Sequence, residues 1–257
     1  PQAANPLSCL SYSFQIIYII FISYLFMKKV AIFDFDGTLS KGYISMDFLH
    51  HLYKKRIFSE KEYRKQIKMI KEVKEGKLSY EKWCLKWGIS WARGLGGQMK
   101  KTVERHAKYF FNKFKGNIYP ISYEITNLLE KNKYHTICLS VGAGEVISLA
   151  CRELGIKECI STQLEIKRGK YTGKILTRVH LPGEKRKETL KIFKRKNLDR
   201  TNSFGFGDSE SDICFLELVE NPFLLNASEK IKNIGREKGW RILSSRKIKS
   251  VSLGLGL

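Results

Sequence analysis

The run Asp34-Phe35-Asp36-Gly37-Thr38 places two carboxylates one residue apart, with a glycine and a hydroxyl immediately behind them. Two more acids, Asp208 and Asp212, follow Gly207 in Gly207-Asp208-Ser209-Glu210-Ser211-Asp212. Between these runs lie Ser140, ahead of Gly142 and Gly144, and the basic stretch Gly183-Glu184-Lys185-Arg186-Lys187. Carboxylate and carbonyl oxygens suit a hard cation such as Mg²⁺. A hydroxyl beside the free N–H groups of a helix start suits a phosphoryl group. Each run alone reads equally well as a solvated turn. Brought together, four acids and a lysine would mismatch, and a divalent cation with a phosphoryl group reconciles them.

The elements that must bring them together are legible in outline. The apolar run Val30-Ala31-Ile32-Phe33 reads as a buried parallel strand ending at Asp34. Thr136 to Ser140 and Ser203 to Phe206 read as further strands, each ending at one of the motifs. In a layered α/β sheet, ligands bind at the carboxyl ends of the strands. From about residue 41 to 120 the pattern is helical, with Ser59-Glu60-Lys61-Glu62 as a capping box and Ser79 as an N-cap. After residue 121 strands and helices alternate again: a helix from about Glu145 to Leu154, a β-hairpin over Cys159 to Ile175, a basic helix ending near Asn197, and short strands at Pro222–Leu225 and Arg241–Leu243. The expected fold is α/β, a three-layer Rossmann-like parallel sheet formed by residues 27–40 and 121–243, with an inserted α-helical cap at 41–120 and a flexible tail at 244–257.

Over residues 28–243 the chain resembles the haloacid dehalogenase superfamily of hydrolases, in the subgroup similar to phosphoserine phosphatases that carries a helical cap after the first motif. The DFDGT and GDSESD runs at their separation carry the resemblance. It implies that Asp34 is the nucleophile forming an aspartyl-phosphate, and that Asp36 protonates the leaving oxygen and then activates water. It implies a Mg²⁺ site from Asp34, the backbone carbonyl of Asp36, and Asp208, with Asp212 in support. Ser140 would hold the phosphoryl group, with Gly37, Thr38, Val141 and Gly142 as flanking phosphate-binding positions. The required lysine is Lys185 or Lys187: counting back from Asp208 favours the first, and the helix phase set by Leu190 fits the second about as well. A carboxylate attacks phosphorus only when the phosphoryl charge is neutralised, so a cation and a lysine belong beside it.

Specificity belongs to the helical insertion. Phosphoserine phosphatases continue past the nucleophile turn with a glutamate for the substrate's amino group, and Ser40-Lys41-Gly42-Tyr43-Ile44-Ser45 has no acid. Phosphoserine is therefore not the expected substrate. Trp83, Trp87 and Trp91 share one helix face and are expected to be core; Arg93 is expected at the surface, and Glu145 as a helix-start residue.

Composition narrows the classes. With 257 residues, 43% hydrophobic and 28% charged, the chain can bury a substantial core. A net charge of +22, spread along the sequence, favours anionic partners without choosing among them. No nucleic-acid-binding motif or basic-aromatic repeat accompanies it, so a small phosphorylated metabolite is the expected partner, not nucleic acid. The six cysteines, Cys9, Cys84, Cys138, Cys151, Cys159 and Cys214, form no Cys-x-x-Cys pair and read as reduced thiols of a cytoplasmic protein. Leu7 to Phe26 is uncharged over 20 residues, long enough for a membrane span. Yet it has no preceding Lys or Arg, and only Lys28-Lys29 separates it from the first strand; the expectation is that translation starts at Met27 and residues 1–26 are an upstream extension, with a membrane role disfavoured. The expected activity is Mg²⁺-dependent hydrolysis of a small phosphomonoester; the alternatives are phosphoryl transfer to an acceptor, or a basic protein that binds nucleic acid or a membrane surface. Oligomeric state is not legible.

Overall fold

A computed structural model describes residues 28–244 except 178, 182 and 197, together with Gly256; residues 1–27, which hold the hydrophobic segment and Met27, and almost all of the tail lie outside the described residues. Among the described residues, no helix is long and apolar enough to cross a membrane.

Six parallel strands form one sheet in the order β3-β2-β1-β6-β7-β8. They are β1 (Lys28–Phe33), β2 (His135–Ala143), β3 (Glu158–Thr162), β6 (Leu198–Gly207), β7 (Asn221–Leu225) and β8 (Arg241–Leu243). β1 lies at the centre because it is apolar on both faces. Ala31 and Phe33 pack with one helical layer, and Val30 and Ile32 with the other. The first layer contains α5 (Pro120–Lys131) and α6 (Gly144–Glu153), which present Ile125, Leu129, Val146 and Ala150. The second contains α7 (Glu184–Lys196), α8 (Ile213–Leu216) and α9 (Glu229–Glu237), which present Ile192, Phe215 and Ile231. Phe33, Phe206 and Phe223 stack across three adjacent strands, with centroids 4.7 and 5.2 Å apart. This locks the register of the strands that carry the acidic motifs.

Between β1 and the rest of the sheet stand α1 (Ile44–Lys54), α2 (Glu60–Lys74), α3 (Tyr80–Leu95) and α4 (Lys100–Phe114). The hydroxyl oxygens of Ser59 and Ser79 accept hydrogen bonds from the backbone N–H of Glu62 and Lys82, the N-caps read from the sequence. The capping box, however, is only half formed: Ser59 N–H donates to the Gly94 carbonyl, and the Glu62 carboxylate turns to Lys65 and Ser90. Phe48, Phe58, Trp87 and Trp91 form the apolar centre of this insert, continuous with the first layer of the sheet core.

Two elements differ from expectation. Cys159 to Thr162 is not part of a hairpin; as β3 it pairs in parallel with β2, and the hairpin proper is β4 (Leu164–Lys167) with β5 (Lys170–Ile175). Gln163 interrupts the run and lets the chain leave the main sheet. The hairpin then docks on the insert: Gly97 N–H donates to the Tyr171 carbonyl, and Tyr171 N–H to that of Gln98. The second difference is that β2 continues through Gly142, read as a turn, as far as Ala143.

Candidate active site

Three parallel strand ends meet at one edge of the sheet. β1 delivers Asp34, whose N–H donates to the Phe206 carbonyl of β6 at 2.9 Å, so the Asp34–Thr38 run begins as an extension of the ladder. β2 delivers Ser140 and β6 delivers Asp208, and all three line one cavity of about 940 Å³ that the helical insert covers. A volume of this order suits a small metabolite.

Lys185 is the central group. Its Nζ donates to Asp34 Oδ1 at 2.7 Å and to Asp212 Oδ1 at 2.6 Å, with all three side chains buried. Burial works against its charge, but the Asp212 and Asp34 carboxylates outweigh that and hold its pKa above the usual lysine range. Lys187, the other sequence candidate, does not join the cluster. It pairs with Glu184 at 2.6 Å and its side chain is 64% exposed. Two residues along a helix is a rotation of about 200°, so only one of the two lysines can face the sheet.

Asp212 Oδ2 accepts from the N–H groups of Asp208 and Ser209 and from the Ser209 hydroxyl, so this carboxylate shapes the loop that presents Asp208. Thr38 Oγ1 donates to Asp208 Oδ1 at 2.7 Å and lies 3.4 Å from Asp34 Oδ2. Gly37 adopts φ +87°, and a Cβ there would come within 2.3 Å of Asp208 Oδ2. Only glycine fits both the conformation and the contact. Asp34, Asp208 and Asp212 each offer an oxygen, all within 4.8 Å of one another. The Asp36 carboxylate is not part of that trio. Its Oδ1 accepts the N–H of Ile44 at the start of α1, tying the Asp34–Thr38 turn to the insert.

The electrostatics follow from burial and like charge. Burial, with Asp34 and Asp212 adding to it, pushes the Asp208 carboxyl up to about 8. Burial raises Asp36 to about 8 against the pull of the Ile44 N–H. Asp34 rises to about 6, because burial outweighs the opposing Lys185 cation. Hard oxygen donors held together against their own repulsion fit a divalent cation.

Ser140 is buried beside the cavity, and its Oγ accepts the N–H of Gly142 at 3.0 Å, which leaves the hydroxyl hydrogen free to donate. Val141 and Gly142 line the cavity, and the N–H of Ala143 is taken by Ser45 Oγ of α1 at 2.8 Å. Glu145 lies in the first turn of α6 beside Tyr171, and burial pushes its carboxyl up to about 7. Arg93 is exposed.

The sequence reading missed several wall residues. Tyr43, Ser45, Tyr80, Glu81, His180 and Lys230 all line the cavity. They come from four separate segments and carry no motif. Trp87 and Trp91 are core, as expected, but Trp83 and Trp87 also reach the cavity wall.

A family model of haloacid dehalogenase-like hydrolases matches residues 31–217. The chain belongs to this family. Among relatives of this haloacid dehalogenase-like hydrolase, the histidinol-phosphatase of Neisseria meningitidis serogroup C is 26% identical over 85% of the chain and 99% of its own length. The phosphoserine phosphatase of Archaeoglobus fulgidus is 20% identical over 80% of the chain, which spans 55% of that protein. Among solved structures, a protein of unknown function from Bordetella pertussis Tohama I superposes with TM-score 0.74 at 18% identity, over 85% of this chain and 99% of that one. A phospho-aspartyl intermediate analogue of phosphoserine phosphatase gives 0.62 at 20% identity, over 88% and 98%. These two likenesses establish the fold.

Proposed function

We propose that the hydrolase cleaves a small phosphomonoester through a phosphoenzyme formed on Asp34. The observation that carries the reading is the Lys185 bridge between Asp34 and Asp212 at the cavity floor, with Ser140 and Asp208 beside it. Lys185 orients Asp34 by its Oδ1, and Oδ2, 3.4 Å from the Thr38 hydroxyl, is the freer oxygen. The carboxylate attacks phosphorus while the bond from phosphorus to the alcohol oxygen breaks. Asp36, protonated below about pH 8, supplies the proton to that oxygen. The resulting Asp36 carboxylate then takes a proton from water, whose oxygen attacks phosphorus, releasing inorganic phosphate and regenerating Asp34. The Ser140 hydroxyl donates to the phosphoryl oxygens throughout, while the Gly142 N–H stays on Ser140 Oγ and fixes the direction of that hydroxyl. Asp34, Asp208 and the main-chain carbonyl of Asp36 would hold a Mg²⁺, which neutralises phosphoryl charge so that a carboxylate can approach. Asp212 supports this set by fixing the Asp208 loop and Lys185.

Helices 44–114 act in this reading as a cap that excludes bulk water and selects the leaving group. The histidinol-phosphatase relative, matched over nearly its whole length, and the phosphoserine phosphatase relative support an amino-alcohol phosphate among the candidate substrates. Glu81, on the cavity wall, offers a carboxylate for such an amino group from a different segment than Ser40–Ser45. The test is phosphate release from a panel of metabolite phosphates with and without Mg²⁺. Metal-dependent turnover that disappears in Asp34→Asn is expected; metal-independent turnover, or turnover retained by that variant, refutes the reading.

A further inference from the structure

The chemistry above draws on the ends of β1, β2 and β6 and gives no role to β7, the next strand across the sheet. That strand also ends at the cavity, where Asn226 lies half-buried in the wall. Among the described residues, four other than glycine have a positive φ: Arg56, Lys133, Arg168 and Asn226. The first three are exposed and turn the chain after α1, after α5 and at the tip of the β4–β5 hairpin. Of the four, Asn226 alone, at φ +62°, lines the cavity. A left-handed backbone is open to asparagine at lower cost than to most side chains, and glycine adopts it more readily still. A turn between β7 and α9 would therefore be served by glycine, and what glycine lacks is the amide.

That amide is used. Asn226 Nδ2 donates to the main-chain carbonyl of Thr38 at 3.3 Å, reaching past the end of β6 to the turn after β1. Its own N–H donates to the Leu243 carbonyl of β8 at 3.1 Å, so the asparagine is braced from the outer edge of the sheet. Thr38 is fully buried, and its hydroxyl holds Asp208 at 2.7 Å. The next carbonyl, of Leu39, takes the Tyr119 N–H at 3.0 Å and the Ser122 hydroxyl at 2.8 Å, at the start of α5. The turn is thus held from two sides, by α5 at Leu39 and by β7 at Thr38. Without the second hold the peptide that carries Thr38 can rotate, and the Thr38 hydroxyl moves with it. Backbone strain at a non-glycine residue persists where its surroundings fix it, and it gathers at functional sites.

We infer that Asn226 is a positioning residue for the cation site: it fixes the Thr38 main chain, and through the Thr38 hydroxyl it sets the Asp208 carboxylate. The inference rests on the phosphatase reading, under which Asp34 and Asp208 hold a Mg²⁺, and it adds a fourth strand to the groups that build that site.

Calorimetric titration of EDTA-stripped protein with Mg²⁺ reads the site without turnover. Asn226→Gly keeps the backbone conformation and removes only the amide. Its Mg²⁺ dissociation constant should rise about tenfold, the worth of one neutral hydrogen bond, while its melting temperature in EDTA stays near that of wild type. Asn226→Ala should lose the same affinity and also melt lower, since alanine is strained at φ +62°. Turnover of p-nitrophenyl phosphate by the glycine variant should need about tenfold more Mg²⁺ for half its maximal rate, with KM at saturating Mg²⁺ within about twofold of wild type. Wild-type Mg²⁺ affinity in Asn226→Gly would overturn the inference. So would affinity lost only in Asn226→Ala, which would mark the residue as structural, or a raised KM with an unchanged Mg²⁺ requirement, which would make it a substrate contact. If wild type hydrolyses no phosphomonoester yet binds Mg²⁺, the phosphatase reading fails and the calorimetric comparison still decides the role of Asn226. A wild type that binds no Mg²⁺ overturns that role outright.

Discussion

Replacing Lys185 by Met removes the cation from a buried three-membered network while keeping most of the side-chain volume. Its Nζ is 2.7 Å from Asp34 and 2.6 Å from Asp212, with lysine side-chain exposure of 6%. Removing one partner of a buried ion pair costs about 3–5 kcal/mol, because the other charge stays buried and unpaired. The two acids are not equally stranded. Asp212 keeps three donors from Asp208 and Ser209, whereas Asp34 keeps the long contact with Thr38 and the backbone N–H of Phe35. The cost therefore falls mainly on Asp34. Adding Asp34→Asn to Lys185→Met should recover about 1–2 kcal/mol, and adding Asp212→Asn should recover less, since it also weakens the Asp208 loop. Lys187→Ala, which removes only an exposed pair with Glu184, should change stability by no more than about 0.5 kcal/mol and keep activity. The assay is urea denaturation at pH 7 in EDTA, so that no divalent cation stands in for the ammonium. Stability of Lys185→Met within about 0.5 kcal/mol of wild type, or equal damage from Lys187→Ala, would refute the reasoning.

Three further outcomes follow from the same geometry. Gly37→Ala should abolish activity, since a methyl at φ +87° meets Asp208 at 2.3 Å; phosphate release near the wild-type rate would contradict this. The profile of kcat/KM against pH should be bell-shaped. The nucleophile Asp34 must lose its proton, so activity rises through about pH 6; the acid Asp36 must keep its proton, so activity falls through about pH 8. Saturating Mg²⁺ should move the acid limb down, because a nearby cation favours the Asp34 carboxylate; a profile still rising at pH 9 would remove Asp36 from its role. In wild type Mg²⁺ should raise the melting temperature, and in Asp208→Asn that shift should be largely lost; an undiminished shift would place the cation elsewhere.

Much of this was legible in the sequence because the decisive signals are local. The four-residue apolar run at the end of β1 located the Asp34–Thr38 turn, and the serines at 59 and 79 marked two helix starts within a residue. The choice between Lys185 and Lys187 was not legible. Helix phase decides it, and the apolar marker, Leu190, is itself 43% exposed and so points to the wrong face. The hairpin boundary failed for a related reason: Cys159 to Thr162 runs into the hairpin sequence with no Gly or Pro between them, and only pairing with β2 shows which sheet it joins. The insert wall was hidden altogether. Tyr43, Glu81 and His180 meet only through tertiary packing, and each alone looks like an ordinary surface or loop residue.

The central claim is that Asp34 becomes covalently phosphorylated. Acid-quenching the enzyme during turnover of a ³²P-labelled phosphomonoester, followed by proteolysis, locates the label directly. A hydroxylamine-labile label on the peptide containing Asp34, absent from Asp34→Asn, is the result this structure leads us to expect. Turnover with no bound label under rapid quenching, or a label on any other residue, would contradict it.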